Sequence, residues 1–321
     1  MTLFAFLALA LAICTVGWHF GGATANARSD DRSTHHNLQG TPLPVVSLLL
    51  AAFTLSLALL AGLITILAAG VCSLTAALAV WLRMPATSQG LQGAGWVILA
   101  LLALAAALHL LPGFQNPLLL QAQQLTPDAI PYTLYANFDK GWAGYCLLLA
   151  IWPLQRIDPV CASKSHTSIL SHRLHFYWKG FWPVWPLTII LALGLAMSLQ
   201  LIQFAPKWPD FALQFIFCNL LLTCVAEEAF FRGLLQRPLL NHLQRRGWSI
   251  HTAAWCAILA ISLLFGLAHL AGGWAYALVA TVASIGYGWA YQRSGRIEVA
   301  ILAHFGLNLL HLTLFTYPML R

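Results

Sequence analysis

The stretch LPVVSLLLAAFTLSLALLAGLITILAAGVCSLTAALAVWLR, from Leu43 to Arg83, holds 41 residues with no charge before its last. As a single helix it would be about 61 Å long at 1.5 Å per residue, twice the roughly 30 Å of bilayer hydrocarbon. It therefore reads as two membrane-crossing helices, 43–65 and 67–83, in a hairpin that turns near Gly70. Outward from this pair lie eight more apolar stretches of comparable kind, at 2–19, 95–112, 140–154, 182–203, 211–235, 252–270, 274–292 and 298–317. The stretch 140–154 is short for a span. The expectation is an all-α polytopic membrane protein with eight to ten transmembrane helices.

Composition agrees. Of 321 residues 60% are hydrophobic and 8% charged, against about 25% charged in ordinary soluble domains. That surface could not face water. The 13 tryptophans and the mean hydropathy of +0.76 exclude disordered, collagen-like and disulfide-scaffold classes. The seven cysteines have no paired spacing of a zinc or redox motif and read as packing residues. The net charge of +7 reports topology rather than a nucleic-acid partner.

Each span flips every later loop, so the positive-inside rule tests the count. With the N-terminus outside, ten spans put Arg28, Arg32, Arg83, Arg156, Lys164, Arg173, Lys179, Arg237, Arg245, Arg246, Arg293 and Arg296 inside. Only Lys140, Lys207 and Arg321 fall outside, and Arg232 lies in the membrane. The first stretch also resembles a signal peptide, being followed by the small-x-small Ala25-Asn26-Ala27. No Lys or Arg precedes it, however, and the site is distant, which favours a retained helix. The charged segments 21–42 and 155–180 read as interfacial connectors with anchors such as Trp178 and Trp182. No loop exceeds about 28 residues, too few for a soluble domain of roughly 50 or more. We divide the chain into an N-terminal transmembrane region, 1–180, and a core, 181–321, whose motifs span 227–308.

A charge at the centre of a spanning helix costs about 2.5 to 3.5 kcal/mol. The run Phe211 to Leu240 nevertheless contains Cys224-Val-Ala-Glu227-Glu228-Ala-Phe-Phe-Arg232-Gly233, where three unpaired charges would cost roughly 8 kcal/mol. Glu228 and Arg232, at i and i+4 with the glutamate first, are spaced for a helical ion pair. Glu227 lies about 100° round the helix, which leaves it the freer carboxylate. Nine of the twelve histidines read as interfacial or solvated: His19, His35, His36, His109, His166, His172, His175, His242 and His251. The other three sit in the last apolar stretches: His269, then His304 with Asn308 at i+4 and His311 at i+7 on one face.

A carboxylate beside a histidine can hold a water and take its proton, while a second histidine and an amide can donate to a developing oxyanion. That is equipment for amide hydrolysis. Two histidines and a glutamate are also an adequate zinc set with an open position, here Glu227, His269 and His304. The zincin pattern HExxH is absent.

The ordered set EExxxR at Glu227, Glu228 and Arg232, FxxxH at Phe265 and His269, and HxxxN at His304 and Asn308 resembles the CPBP intramembrane endopeptidases. These include the CAAX prenyl proteases, bacteriocin-processing enzymes and abortive-infection-like proteins. The likeness covers 211–317 and places the active site in a C-terminal helical bundle. By that resemblance Glu227 with His269 would activate water, His304 and Asn308 would form the oxyanion site, and Glu228 and Arg232 would support them. It favours a glutamate mechanism without a cofactor, a divalent metal such as zinc being the alternative. The implied partners are a peptide or protein substrate and the lipid bilayer; the implied place is a bacterial cytoplasmic membrane. Naive helix depths put His269 and His304 more than 10 Å apart along the membrane normal. Small residues at Gly272, Gly273, Ala280, Ser284 and Gly288 would let helices approach closely there. A non-catalytic scaffold or immunity protein, and a transporter using Glu227 as a proton relay, are the competing functions.

Overall fold

The computed structural model describes residues 1–26, 44–84, 88–151 and 181–321. Of the described residues 73% are helical. The described helices are α1 (Thr2–Asn26), α2 (Val45–Leu60), α3 (Ile66–Trp81), α4 (Gln89–Ala107), α5 (Phe138–Ile151), α6 (Val184–Ser198), α7 (Ala212–Arg245), α8 (Ile250–Leu267), α9 (Trp274–Ser294) and α10 (Ile297–Leu314). Four of them, α4, α7, α8 and α10, are long and apolar enough to cross a membrane, and α2, α3, α6 and Thr2–Val16 are shorter apolar helices. The connectors 155–180 and most of 21–42, with six of the arginines and lysines assigned inside (Arg28, Arg32, Arg156, Lys164, Arg173, Lys179), lie outside the described residues, as do Ala27 and Trp178.

Two expectations are corrected. The turn of the Leu43–Arg83 hairpin is at Gly62, whose φ is +68°, and Gly70 lies inside α3. Thr65 caps α3, its hydroxyl accepting from Ala68 N, so the second helix starts there and cannot wait for Gly70. The chain is also not wholly helical: β1 (Leu118–Gln123) and β2 (Tyr132–Tyr135) form a two-stranded sheet. Short loops between membrane helices must still satisfy their backbone polar groups, and strand pairing does so.

The chain divides into two compact units. One contains Met1–Pro117, Tyr135–Gln155 and Leu221–Phe230. Its centre is α5, buried at every residue except Lys140; a helix apolar all round belongs inside. Gly141 and Gly144 make the packing tight. A Cβ at Gly144 would lie 3.0 Å from Ala226 Cα, and one at Gly141 would lie 2.5 Å from Leu222.

The other unit contains Leu118–Leu134, Arg156–Leu220 and Phe231–Arg321. Its centre is α9, which packs against α6, α8 and α10. Closest approach is again at glycines, Gly286 against Thr188 and Gly288 against Gln236 and Arg232. Of the small residues expected to allow close approach, Gly288 does so, while a Cβ at Gly273 would meet nothing within 4 Å. Beyond α10 the chain runs extended, with Thr316 N donating to Gln203 O, Leu320 N to Leu201 O, and Ile130 N to Met319 O.

Candidate active site

Glu227 and Glu228 sit in a single α-helical turn, Val225–Glu228, bracketed within α7 by π-helical turns at Cys218–Cys224 and Ala229–Gln236. A π-turn takes about one residue more than an α-turn, and such bulges concentrate at functional positions. Arg232 lies in the second of these π turns, four residues after Glu228. Glu228 and Arg232 are both fully buried.

In the first unit Glu227 Oε1 accepts from Lys140 Nζ at 2.7 Å. Glu227 therefore has a cationic partner that the sequence did not announce, and Lys140 is a first-turn residue of α5 whose side chain is 14% exposed. Next to Lys140, the buried Asp139 accepts from Asn116 Nδ2 at 3.0 Å and lies 2.8 Å from His109 Nδ1. His109 is thus half-exposed but paired, not merely solvated. Asn116 Oδ1 also accepts Phe138 N at 2.8 Å, closing the first turn of α5.

In the second unit Phe265 is a hub. Its ring stacks with the His269 imidazole at 4.6 Å and meets the His304 imidazole edge-on at 5.7 Å. It also contacts the rings of Phe231 and Tyr287, and the Arg232 guanidinium lies 5.9 Å from its centre. The depth gap expected between the two histidines is closed because His269 folds back along its own chain, its Nδ1 2.8 Å from Phe265 O. A carbonyl only accepts, so Nδ1 carries a proton there, and in the neutral tautomer the lone pair is on Nε2. His304, 5% exposed, is stacked face to face on Tyr287 at 4.5 Å and 14°. Asn308 donates from Nδ2 to Asn219 Oδ1 at 3.2 Å. His311 continues the stripe but turns to the chain end, with Nε2 3.1 Å from Thr316 O.

Arg232 is held by Ser284 Oγ at 2.7 Å and Gln236 Oε1 at 3.3 Å, and Gln236 donates in turn to Gly288 O. Outside the spans, Tyr132 of β2 packs on Tyr317 and Phe211, and burial pushes its hydroxyl up to about 12. Burial also pulls the Lys207 ammonium down, although it donates to the carbonyls of Ala205 and Phe315.

The structure places Glu227 and Lys140 together in one unit, and His269 and His304 about Phe265 in the other. Lys140, Asn219 and Tyr287 escaped the sequence reading. Lys140 had one signal, since it breaks the positive-inside pattern; Asn219 had another, as a lone amide in the same apolar run as Glu227. Among the described residues no three His, Cys, Asp or Glu side chains are placed to hold a metal ion.

A helical membrane protein with carboxylates, histidines and amides inside apolar helices is the class these units define. Residues 208–310, about a third of the chain, match the sequence model of the Rce1-like family, described as type II CAAX prenyl endopeptidase Rce1-like. This bears out the CPBP and CAAX-protease resemblance read from the motifs, and the chain is an integral membrane protein. No curated protein and no solved structure matches the chain.

Proposed function

We propose that the protein is an integral-membrane endopeptidase in which Glu227 and His269 activate water and His304 and Asn308 stabilise the oxyanion. The observation that carries this reading is the family match over 208–310, which encloses all three motifs in order. The geometry within the second unit supports it: Phe265 orders two imidazoles, and His269 offers the Nε2 lone pair that a water proton needs.

In the proposed reaction, water oxygen bonds to the scissile carbonyl carbon as its proton passes to Glu227, assisted by His269. The carbonyl π electrons move onto oxygen, where His304 and Asn308 donate to it. Collapse of that adduct breaks the C–N bond, and the proton held by Glu227 leaves with the amine. Glu228 and Arg232 hold the helix that carries the base. Each oxyanion donor in such sites is worth about 100- to 1,000-fold in rate.

We take the topology as ten spans with the N-terminus outside and the location as a bacterial cytoplasmic membrane, with residues 1–180 flanking a core at 181–321. The substrate is a peptide or protein at the bilayer.

The test compares peptide termini by mass spectrometry in membranes expressing wild type or Glu227→Gln at matched levels. New termini that vanish in the variant are expected. Identical sets would replace the peptidase with the scaffold reading; proton-coupled flux abolished by the same substitution would favour a transporter.

A further inference from the structure

The proposed chemistry does not use Lys140, yet its position calls for a reason. It stands in the first turn of α5, where the positive end of the helix dipole disfavours a cation. It is the one residue of that helix not buried, and even so its side chain is only 14% exposed. Holding a long ammonium chain in one place also costs side-chain entropy.

Three features deliver it to Glu227. Gly141 and Gly144 bring the α5 backbone against the 222–226 stretch of α7, so the ammonium reaches the carboxylate without spanning a gap. Asn116 closes the first turn of α5 through Phe138 N and ties down Asp139. Asp139, 2% exposed and 2.8 Å from His109, supplies negative charge beside Lys140 that offsets the dipole. His109 itself is held at φ +56°, a conformation that a non-glycine residue adopts at a cost. The start of α5 is thus built around a fixed Lys140, and the product of that construction is one contact, Nζ to Glu227 Oε1 at 2.7 Å.

We infer that Lys140 is a positioning residue for the proposed reaction: it fixes the carboxylate of Glu227 in one orientation. The inference rests on Glu227 being the base. A glutamate has three side-chain torsions to restrain, and misplacement of a catalytic group by about 1 Å can cost on the order of 100-fold in rate. An ammonium bonded to one oxygen removes most of that freedom. Arginine can make the same contact; methionine fills the same volume and cannot.

The test uses the full-length protein as wild type, Lys140→Met, Lys140→Arg and Glu227→Gln at matched levels, with two readouts. The first is labelling of Glu227 by a hydrophobic carbodiimide at fixed pH, mapped by peptide mass spectrometry with Glu227→Gln as the blank. It needs no substrate, and a carboxylate tied to an ammonium is shielded from the reagent. The second is the set of Glu227-dependent peptide termini in the expressing membranes. Lys140→Met should raise labelling at least fivefold and lower the Glu227-dependent termini at least tenfold, and Lys140→Arg should return both to within about threefold of wild type. Unchanged labelling in Lys140→Met overturns the inference outright. Raised labelling with undiminished termini also overturns it, leaving the ion pair a packing device. If Glu227→Gln yields the same termini as wild type, the peptidase reading falls and takes the inference with it, an outcome distinct from the other two.

Discussion

Replacing three glycines by alanine, one at a time, should give three different results from one chemical change. At Gly288 the new Cβ would lie 2.8 Å from Gln236 Oε1 and 3.1 Å from Arg232 Nη1. Gln236 is 1% exposed, donates to Gly288 O at 3.1 Å and accepts from Arg232 at 3.3 Å. Moving it aside strains both bonds in a place water does not reach. Overpacking costs about 1 to 3 kcal/mol and a buried group left unmatched costs a similar amount, so Gly288→Ala should lose about 2 to 3 kcal/mol. At Gly70 a Cβ meets nothing within 4 Å and the residue is helical. Alanine there should gain up to about 1 kcal/mol from helix propensity. Gly62 is equally open, but its φ of +68° makes alanine cost about 1 to 2 kcal/mol in backbone strain. Thermal unfolding of the purified proteins in one detergent, followed by tryptophan fluorescence, should rank Gly70→Ala above wild type, then Gly62→Ala, then Gly288→Ala. A Gly288→Ala protein as stable as wild type would refute the close approach of α9 to the Arg232 turn. Loss of stability in Gly70→Ala but not in Gly62→Ala would return the hairpin turn to Gly70.

Other perturbations address the site. Tyr287→Leu removes the ring on which His304 stacks and should lower Glu227-dependent cleavage about tenfold, whereas Tyr287→Phe keeps the stack and should leave cleavage near wild type; equal loss in both would point to the hydroxyl instead. Asn308→Ala should lower cleavage about 100- to 1,000-fold as an oxyanion donor, and Asn219→Ala, which frees the Asn308 amide to rotate, should lower it less; the reverse order would move the donor role to Asn219. Asn116→Ala leaves Phe138 N without its acceptor and takes one donor from the buried Asp139, and should destabilise by about 1 to 3 kcal/mol, read by the same unfolding assay. Dialysis against a strong chelator should leave cleavage intact, and loss that added zinc restores would establish the metal alternative.

The helices were legible because each is a long apolar run, and the ten apolar stretches correspond to α1–α10. The hairpin turn was not, because Gly62 and Gly70 stand in equally apolar surroundings. The deciding group was Thr65, whose hydroxyl can cap a helix only from the position just before it. The sheet escaped because LLLQAQ and YTLY are short and lie between long apolar runs. Nothing in Ala229–Gln236 announces a π-turn.

The positive-inside rule counts Lys and Arg in short loops and near span ends without regard to their partners. Lys140 and Lys207 are two of the three exceptions to the twelve-to-three pattern, and both turn inward, one to Glu227 and the other to the carbonyls of Ala205 and Phe315. For Lys140 that partner is the glutamate on which the proposed chemistry depends.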